Sequence, residues 1–238
     1  MRGKTVTLLL LLVLATGGCG SQDVIASDPR TTEVPSETTP SEDTPTQATP
    51  SEAAPTETSP TEVAATVPAD LPLDLDLPAD GGDYEVTAPS AEADGIGDLE
   101  VCGSVVWPPG RAEARLATSA SGPEHVDARE LVVPDAAVAA TVVPRVREVV
   151  AGCTDAPDHQ VWTLHEADTG HESVTFSLTW SVGLGASVFQ VTRVGDALLM
   201  THRYGEGMLE TIDPTVRERT ALTREIAPAM CALTPGAC

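Results

Sequence analysis

His165-Glu166 and His171-Glu172 bracket Asp168-Thr169-Gly170, and imidazoles beside carboxylates are a donor set able to hold zinc or a similar cation. The spacing lacks the helical H-E-x-x-H pattern that puts both imidazoles on one face, so these residues read as a solvated hairpin tip. Arg203 and Tyr204 run into Gly205-Glu206-Gly207. Glycines let backbone approach a ligand closely and a guanidinium pairs with an anion, although a turn with a surface ion pair has the same composition. Trp107, Trp162 and Trp180 offer aromatic faces suited to sugars and peptides, yet a chain with only two Phe and two Tyr also needs them as core. The candidate ligand-binding residues are therefore Arg203, Tyr204, Glu206, Trp162 and Trp180. Covalent and nucleotide chemistry finds no support: Gly183-Leu184-Gly185-Ala186-Ser187 is not a G-x-S-x-G elbow, and neither a P-loop nor a dinucleotide fingerprint occurs. No catalytic residue, cofactor or metal is assigned, and the chain reads as non-enzymatic.

Cys102, Cys153, Cys231 and Cys238 are an even number without a C-x₂-C pair. In an exported chain that pattern gives two disulfides rather than a zinc site. Three connectivities are open. Cys153 and Cys231 each fall at the end of an expected helix, so the preferred pairing joins them and leaves Cys102 for Cys238.

Export is written in the first residues. Arg2 and Lys4 precede an apolar run over 6–15, followed by Thr16-Gly17-Gly18-Cys19, the layout of an export signal. The run is about ten residues, short of the roughly 20 that a membrane-crossing helix needs. Small residues directly before a cysteine resemble the lipobox of bacterial lipoproteins, with Thr16 where Leu, Val or Ala is usual. The resemblance implies that residues 1–18 are removed and that Cys19 becomes an acylated (palmitate-bearing) N-terminus. The mature protein is then held on the extracellular face of the cell membrane by that anchor.

The net charge of −23 is unevenly spread. Residues 20–98 hold 18 Asp and Glu against Arg30 alone, whereas residues 99–238 balance 18 acids with 10 arginines and all five histidines. No basic patch is available to neutralise phosphates, which argues against nucleic acid as a partner. Proline recurs at 35, 40, 45, 50, 55 and 60 among Ser, Thr and Glu. With almost nothing apolar to bury, residues 19–69 read as a disordered, extended linker. The folded domain is then expected over 70–238, and Leu71, Leu73, Leu75 and Leu77 suggest an extended edge segment at its start.

Within that domain, residues 129–133 and four β-rich runs, Gln160–His165, 173–180, 187–194 and 197–204, alternate as strands do. Residues 99–106 and 114–119 are further strand candidates. Asp135 caps a helix through Ala151 whose valines recur at helical spacing, with Pro144 expected to kink or divide it. Asp213 and Pro214 start a last helix bearing Leu222, Ile226 and Met230 on one face. The order describes an α+β fold: a largely antiparallel sheet with about two helices on one face and two disulfides.

The order of R-E-L-V-V-P-D-A at residues 129–136, the helix ending in Cys153, F-Q-V-T-R-V-G-D-A-L-L-M at 189–200, Y-G-E-G at 204–207 and a final cysteine-bearing helix resembles actinobacterial exported sensor domains. These include the extracellular domains of receptor serine/threonine kinases of the PknH type. The resemblance implies two disulfides, a cleft over the sheet and non-catalytic ligand sensing, with a lipid anchor here in place of a kinase and its transmembrane helix. The expected partners are the membrane and a small-molecule or cell-wall ligand or a surface protein. The alternative is an accessory protein that holds a partner at the wall without a small ligand. Replacing Cys19→Ala is expected to release the protein into the medium or leave it unprocessed; membrane retention of a normally cleaved chain on fractionation rejects the anchor.

Overall fold

The computed structural model describes residues 66–110, 112–183, 185–234 and 236–238. The signal, Cys19 and the linker up to residue 65 lie outside the described residues. Seven strands form one antiparallel sheet: β1 Glu85–Ser90, β4 Ala114–Gly122, β5 His125–Val133, β6 Gln160–His165, β7 Glu172–Trp180, β8 Ala186–Val194 and β9 Ala197–Gly205, in the order β1-β4-β5-β9-β8-β7-β6. A separate hairpin pairs β2 Leu99–Val101 with β3 Ser104–Trp107. The stretch expected as one strand at 99–106 is thus two, because Cys102 and Gly103 take φ of 47° and 76° and reverse the chain. β1 was not anticipated. It is a short edge strand carrying Pro89 and a register irregularity against β4, which blunts the period-2 signal.

Helix α1, Ala136–Gly152, begins where Asp135 accepts a hydrogen bond from the Val138 N–H at 3.1 Å. It buries Ala139, Val142, Val143, Val146 and Val150. Each buried valine contributes roughly 1.5–3 kcal/mol, more than the one backbone bond that Pro144 removes. The helix accordingly runs through that proline undivided. Helix α2, Ile212–Met230, follows a 3-10 turn at Met208–Thr211. Asp213 and Pro214 fall inside its first turn rather than ahead of it, since the 3-10 turn already supplies the entry.

The two helices cover opposite faces of the sheet, which corrects the expectation of a single helical face. Phe189 and Val191 of β8, with Leu198 and Met200 of β9, pack with the valines of α1. Val194, Ala197 and Leu199 pack with Leu222, Ile226 and Met230 of α2. A strand alternates sides at every residue, so the two sets face opposite ways, and β8 is buried along nearly its whole length. Burial on both faces takes in its polar side chains too: Ser187, Gln190 and Thr192 are buried along with its apolar residues.

Residues 69–76 form turns rather than an edge strand. With Pro72 in their midst they are held on the α2 face by Leu71 and Leu73, both buried, and by the Arg129 guanidinium, which donates to the carbonyls of Leu73 and Leu75. Val67 packs on the same cluster, so packing begins before residue 70.

Both disulfides are present, with a pairing different from the preferred one: Cys102 with Cys153, and Cys231 with Cys238. Opposite faces explain the difference. Cys153 ends α1 beside the β2–β3 turn, and Cys231 ends α2 across the sheet, where the tail folds back so that Thr234 Oγ1 donates to the Val194 carbonyl at 3.3 Å. Gly195 in the β8–β9 turn has φ 59°, and a Cβ there would meet Thr234 at 2.6 Å. Non-reducing peptide mapping should return these two linkages and no free domain thiol. The sequence separations are 51 and 7 residues. Chain-entropy scaling then gives losses of about 4 kcal/mol for Cys102→Ser/Cys153→Ser and about 2 kcal/mol for Cys231→Ser/Cys238→Ser in denaturant unfolding.

Candidate functional site

Strand β5, an interior strand of the sheet, carries charge into both faces. On the α1 face the buried Glu130 carboxylate accepts from Arg115 Nε at 2.5 Å, Trp107 Nε1 at 3.0 Å and the Ile96 N–H at 3.1 Å. Arg115 in turn donates to the carbonyls of Ala91, Ala93 and Asp94 at 2.6–2.9 Å. These bonds fix loop 91–98 and the β2–β3 hairpin over one part of that face, while α1 covers β6 to β8. On the α2 face Asp127 receives Arg219 Nη1 at 2.9 and 2.8 Å and Arg129 Nε at 3.2 Å.

What the covers leave is a half-buried shelf on the α1 face. The ladder registers place Trp162, Leu178, Ser187, Tyr204, Val126 and Ser121 in one transverse row across six strands. The next row holds Phe176, Phe189, His202, Ala128 and Ser119. Ser119, Ser121, Val126, His202 and Tyr204 are each partly accessible above a floor of buried Ala128, Ser187 and Phe189. None of the two rows' side chains in β4, β5, β7, β8 and β9 is an acid, Lys or Arg; Glu85 stands beside Ser121 on the β1 edge. The His202 ring lies flat on Phe189, centroids 4.4 Å apart and planes within 5°, with Nε2 3.2 Å from Ser187 Oγ. Gly185 has φ 112° and its missing Cβ leaves room for the Tyr204 ring, 3.2 Å from where that atom would sit.

The five candidate residues do not converge. Tyr204 lies on the shelf. Trp162 is core, tilted against Phe176 and Phe189 at 6.0 and 6.1 Å with its Nε1 donating to Gln160. Trp180 is partly buried against the α1 cluster on the same face. Arg203 points the other way, to Glu218 of α2 at 2.5 Å. Glu206 lines a hollow of about 500 Å³ at the sheet end with Asp83, Tyr84, Glu124 and His125; there the Tyr84 and His125 rings meet edge to face at 5.8 Å. Sequence reasoning missed His202, Ser187, Ser119, Ser121 and Val126, whose only signal was strand parity.

The His/Glu group forms the β6–β7 hairpin tip, as read. His165 Nε2 is 2.8 Å from Ser177 Oγ and Glu172 pairs with Arg193 at 2.6 Å. Among the described residues no group of three or more His, Cys, Asp or Glu converges as a metal site. No helix among them is long and apolar enough to cross a membrane.

No family model and no curated protein matches the chain. Among solved structures it is similar to the crystal structure of the extracellular domain of PknH from Mycobacterium tuberculosis. The identity is 12% and the TM-score 0.41, over 62% of this chain and 86% of that one.

Burial pushes the pKa of His202 down to about 4, against a smaller upward pull from Asp127, so the imidazole is neutral at neutral pH. The unfolded chain binds that proton near pH 6.5 and the folded one only near 4. Stability is therefore full above about 6.5 and falls as pH drops toward 4, by up to about 3 kcal/mol. His165 and His125, also lowered by burial, add to the same slope. In urea unfolding at pH 7.5 and 4.5, His202→Asn should flatten most of the difference; an unchanged slope would contradict the burial of a neutral imidazole.

Proposed function

We propose that the chain is an exported, membrane-tethered, non-catalytic binding protein whose folded domain takes an uncharged, hydroxyl-bearing ligand, a wall glycan fragment by chemistry, on the shelf. The observation that carries this reading is the composition of the two rows: neutral imidazole, phenol and serine hydroxyls beside aromatic and apolar side chains. Aromatic faces pack on the C–H face of a sugar while hydroxyls exchange hydrogen bonds with its rim. Tethering rests on the lipobox-like start and the proline-rich segment.

Hydrolysis is disfavoured by the geometry of its nearest candidate. Ser187 beside His202 resembles a nucleophile and base, but Ser187 is only 4% exposed and no carboxylate within the two rows orients the imidazole. Asp127 lies on the opposite face of β5 from Ala128, whose cross-strand partner is His202.

The test titrates the purified chain with N-acetylglucosamine oligosaccharides, following thermal midpoint and tryptophan fluorescence. Binding at about 100 times the dissociation constant adds roughly 2.7 kcal/mol, a midpoint rise of about 5–10 °C for a domain of this size. Tyr204→Ala and Ser121→Ala should each weaken binding about tenfold or more without changing the fold by circular dichroism. No shift with neutral saccharides removes this reading and returns weight to an accessory protein that holds a surface partner.

A further inference from the structure

Three hydrogen-bond donors beneath α2 have no partner among the described residues: Arg129 Nη2, Arg219 Nε and Thr201 Oγ1. They belong together. Arg129 and Thr201 are direct cross-strand partners on the α2 face, and Arg129 and Arg219 share the same oxygen, Asp127 Oδ1. All three residues are essentially inaccessible, at 0%, 2% and 0% exposure. Thr192, whose hydroxyl is also unpartnered, is on the same face of the neighbouring strand.

The charge count points the same way. Two fully buried guanidiniums face one buried carboxylate, Asp127. Glu218, half-exposed, contacts Arg219 Nη2 at 3.0 Å but is shared with Arg203. Asp76, exposed, adds an electrostatic attraction at Arg129, so within the low-dielectric interior the positive charge is only partly compensated, and an unpaired ion there costs several kcal/mol. Burial accordingly lowers the Arg129 pKa despite the neighbouring carboxylate. A group that accepts from two guanidinium edges and a hydroxyl while carrying a negative charge answers both deficits. Asp127 and Glu218 are already committed to these guanidiniums, and the three side chains are sealed from solvent, so the missing acceptor is sought among small ions.

We propose that a chloride-sized inorganic anion is bound between α2 and the sheet, held by Arg129, Arg219 and Thr201. The test is a crystal of the purified chain grown in sodium bromide and recorded at the bromine absorption edge. It is paired with thermal unfolding in sodium chloride against sodium gluconate at equal ionic strength. An anomalous peak within hydrogen-bond distance of Arg129 Nη2 and Arg219 Nε is expected. The midpoint should rise by about 3–6 °C for each tenfold of chloride beyond the dissociation constant, and Thr201→Val should move the onset to higher chloride. Density without an anomalous peak and equal midpoints in the two salts would assign the position to water and overturn the proposal. A peak without a chloride-specific rise means an adventitious ion only, and a rise without a peak there puts the chloride elsewhere; either also overturns it. None of these outcomes touches the shelf on the opposite face.

Discussion

The Glu130 carboxylate is the constraint from which the α1 face is built. A charge at the centre of a sheet is tolerable only when its lone pairs are taken, and here they are taken by a guanidinium, an indole N–H and a backbone N–H drawn from three separate segments. Those segments carry no long apolar stripe of their own. Loop 91–98 is fastened by the carbonyls that Arg115 gathers, and Gly95 is where a Cβ would collide with Arg115 Nη2. Removing one partner of such a buried pair costs about 3–5 kcal/mol, whereas the exposed Arg224–Asp168 pair at 3.9 Å is of the kind worth at most about 1 kcal/mol. The shelf is open because the cover ends where Glu130's donors end.

The other face solves a different problem. α2 buries Thr215, Arg219, Thr220 and Thr223 beside Leu222 and Ile226, so its packing is half hydrogen-bonded. Gln190, buried in β8, donates to Thr175 and Thr220 and accepts from Thr223 at 2.5 Å. Apolar packing tolerates a helix sliding along its groove; these bonds and the Arg219–Asp127 pair do not. Buried polar networks add little net stability but define one register. Helix α1 itself is fastened by valines and the Cys102–Cys153 disulfide, helix α2 by register-specific bonds added to its apolar stripe.

Strands and helices were legible because their apolar periods are local. Gln160–His165 and the three runs after it appear almost to the residue, and the valine stripe of α1 announces its buried face. A stripe says that a helix is covered, not on which side of the sheet it lies, so the disulfide pairing built on two helix ends failed. Arg219, Thr220 and Thr223 carry no local signal of burial, because the Gln190 and Asp127 that bond them lie 30 to 92 positions away. Arg203 and Tyr204 are the sharper lesson. Adjacent residues in a strand point to opposite faces, so their separation was readable from the period. The union of Tyr204 with Ser121 and Ser187 depends on register across several ladders and was not.

Charge distinguishes the two faces of the sheet. The folded part carries 18 acids against 10 arginines from residue 99 onward, and Glu85, Glu124 and Glu206 lie around the open end of the sheet. That field repels anions over a screening length of about 8 Å at physiological salt, in keeping with the uncharged ligand proposed for the shelf. Beneath α2 the sign reverses, with guanidiniums gathered on Asp127 and sealed from solvent. An anion there is enclosed by α2 and by residues 69–76, which Arg129 itself holds down. On the proposed reading it exchanges only when that helix or segment lifts, so its energy belongs to folding.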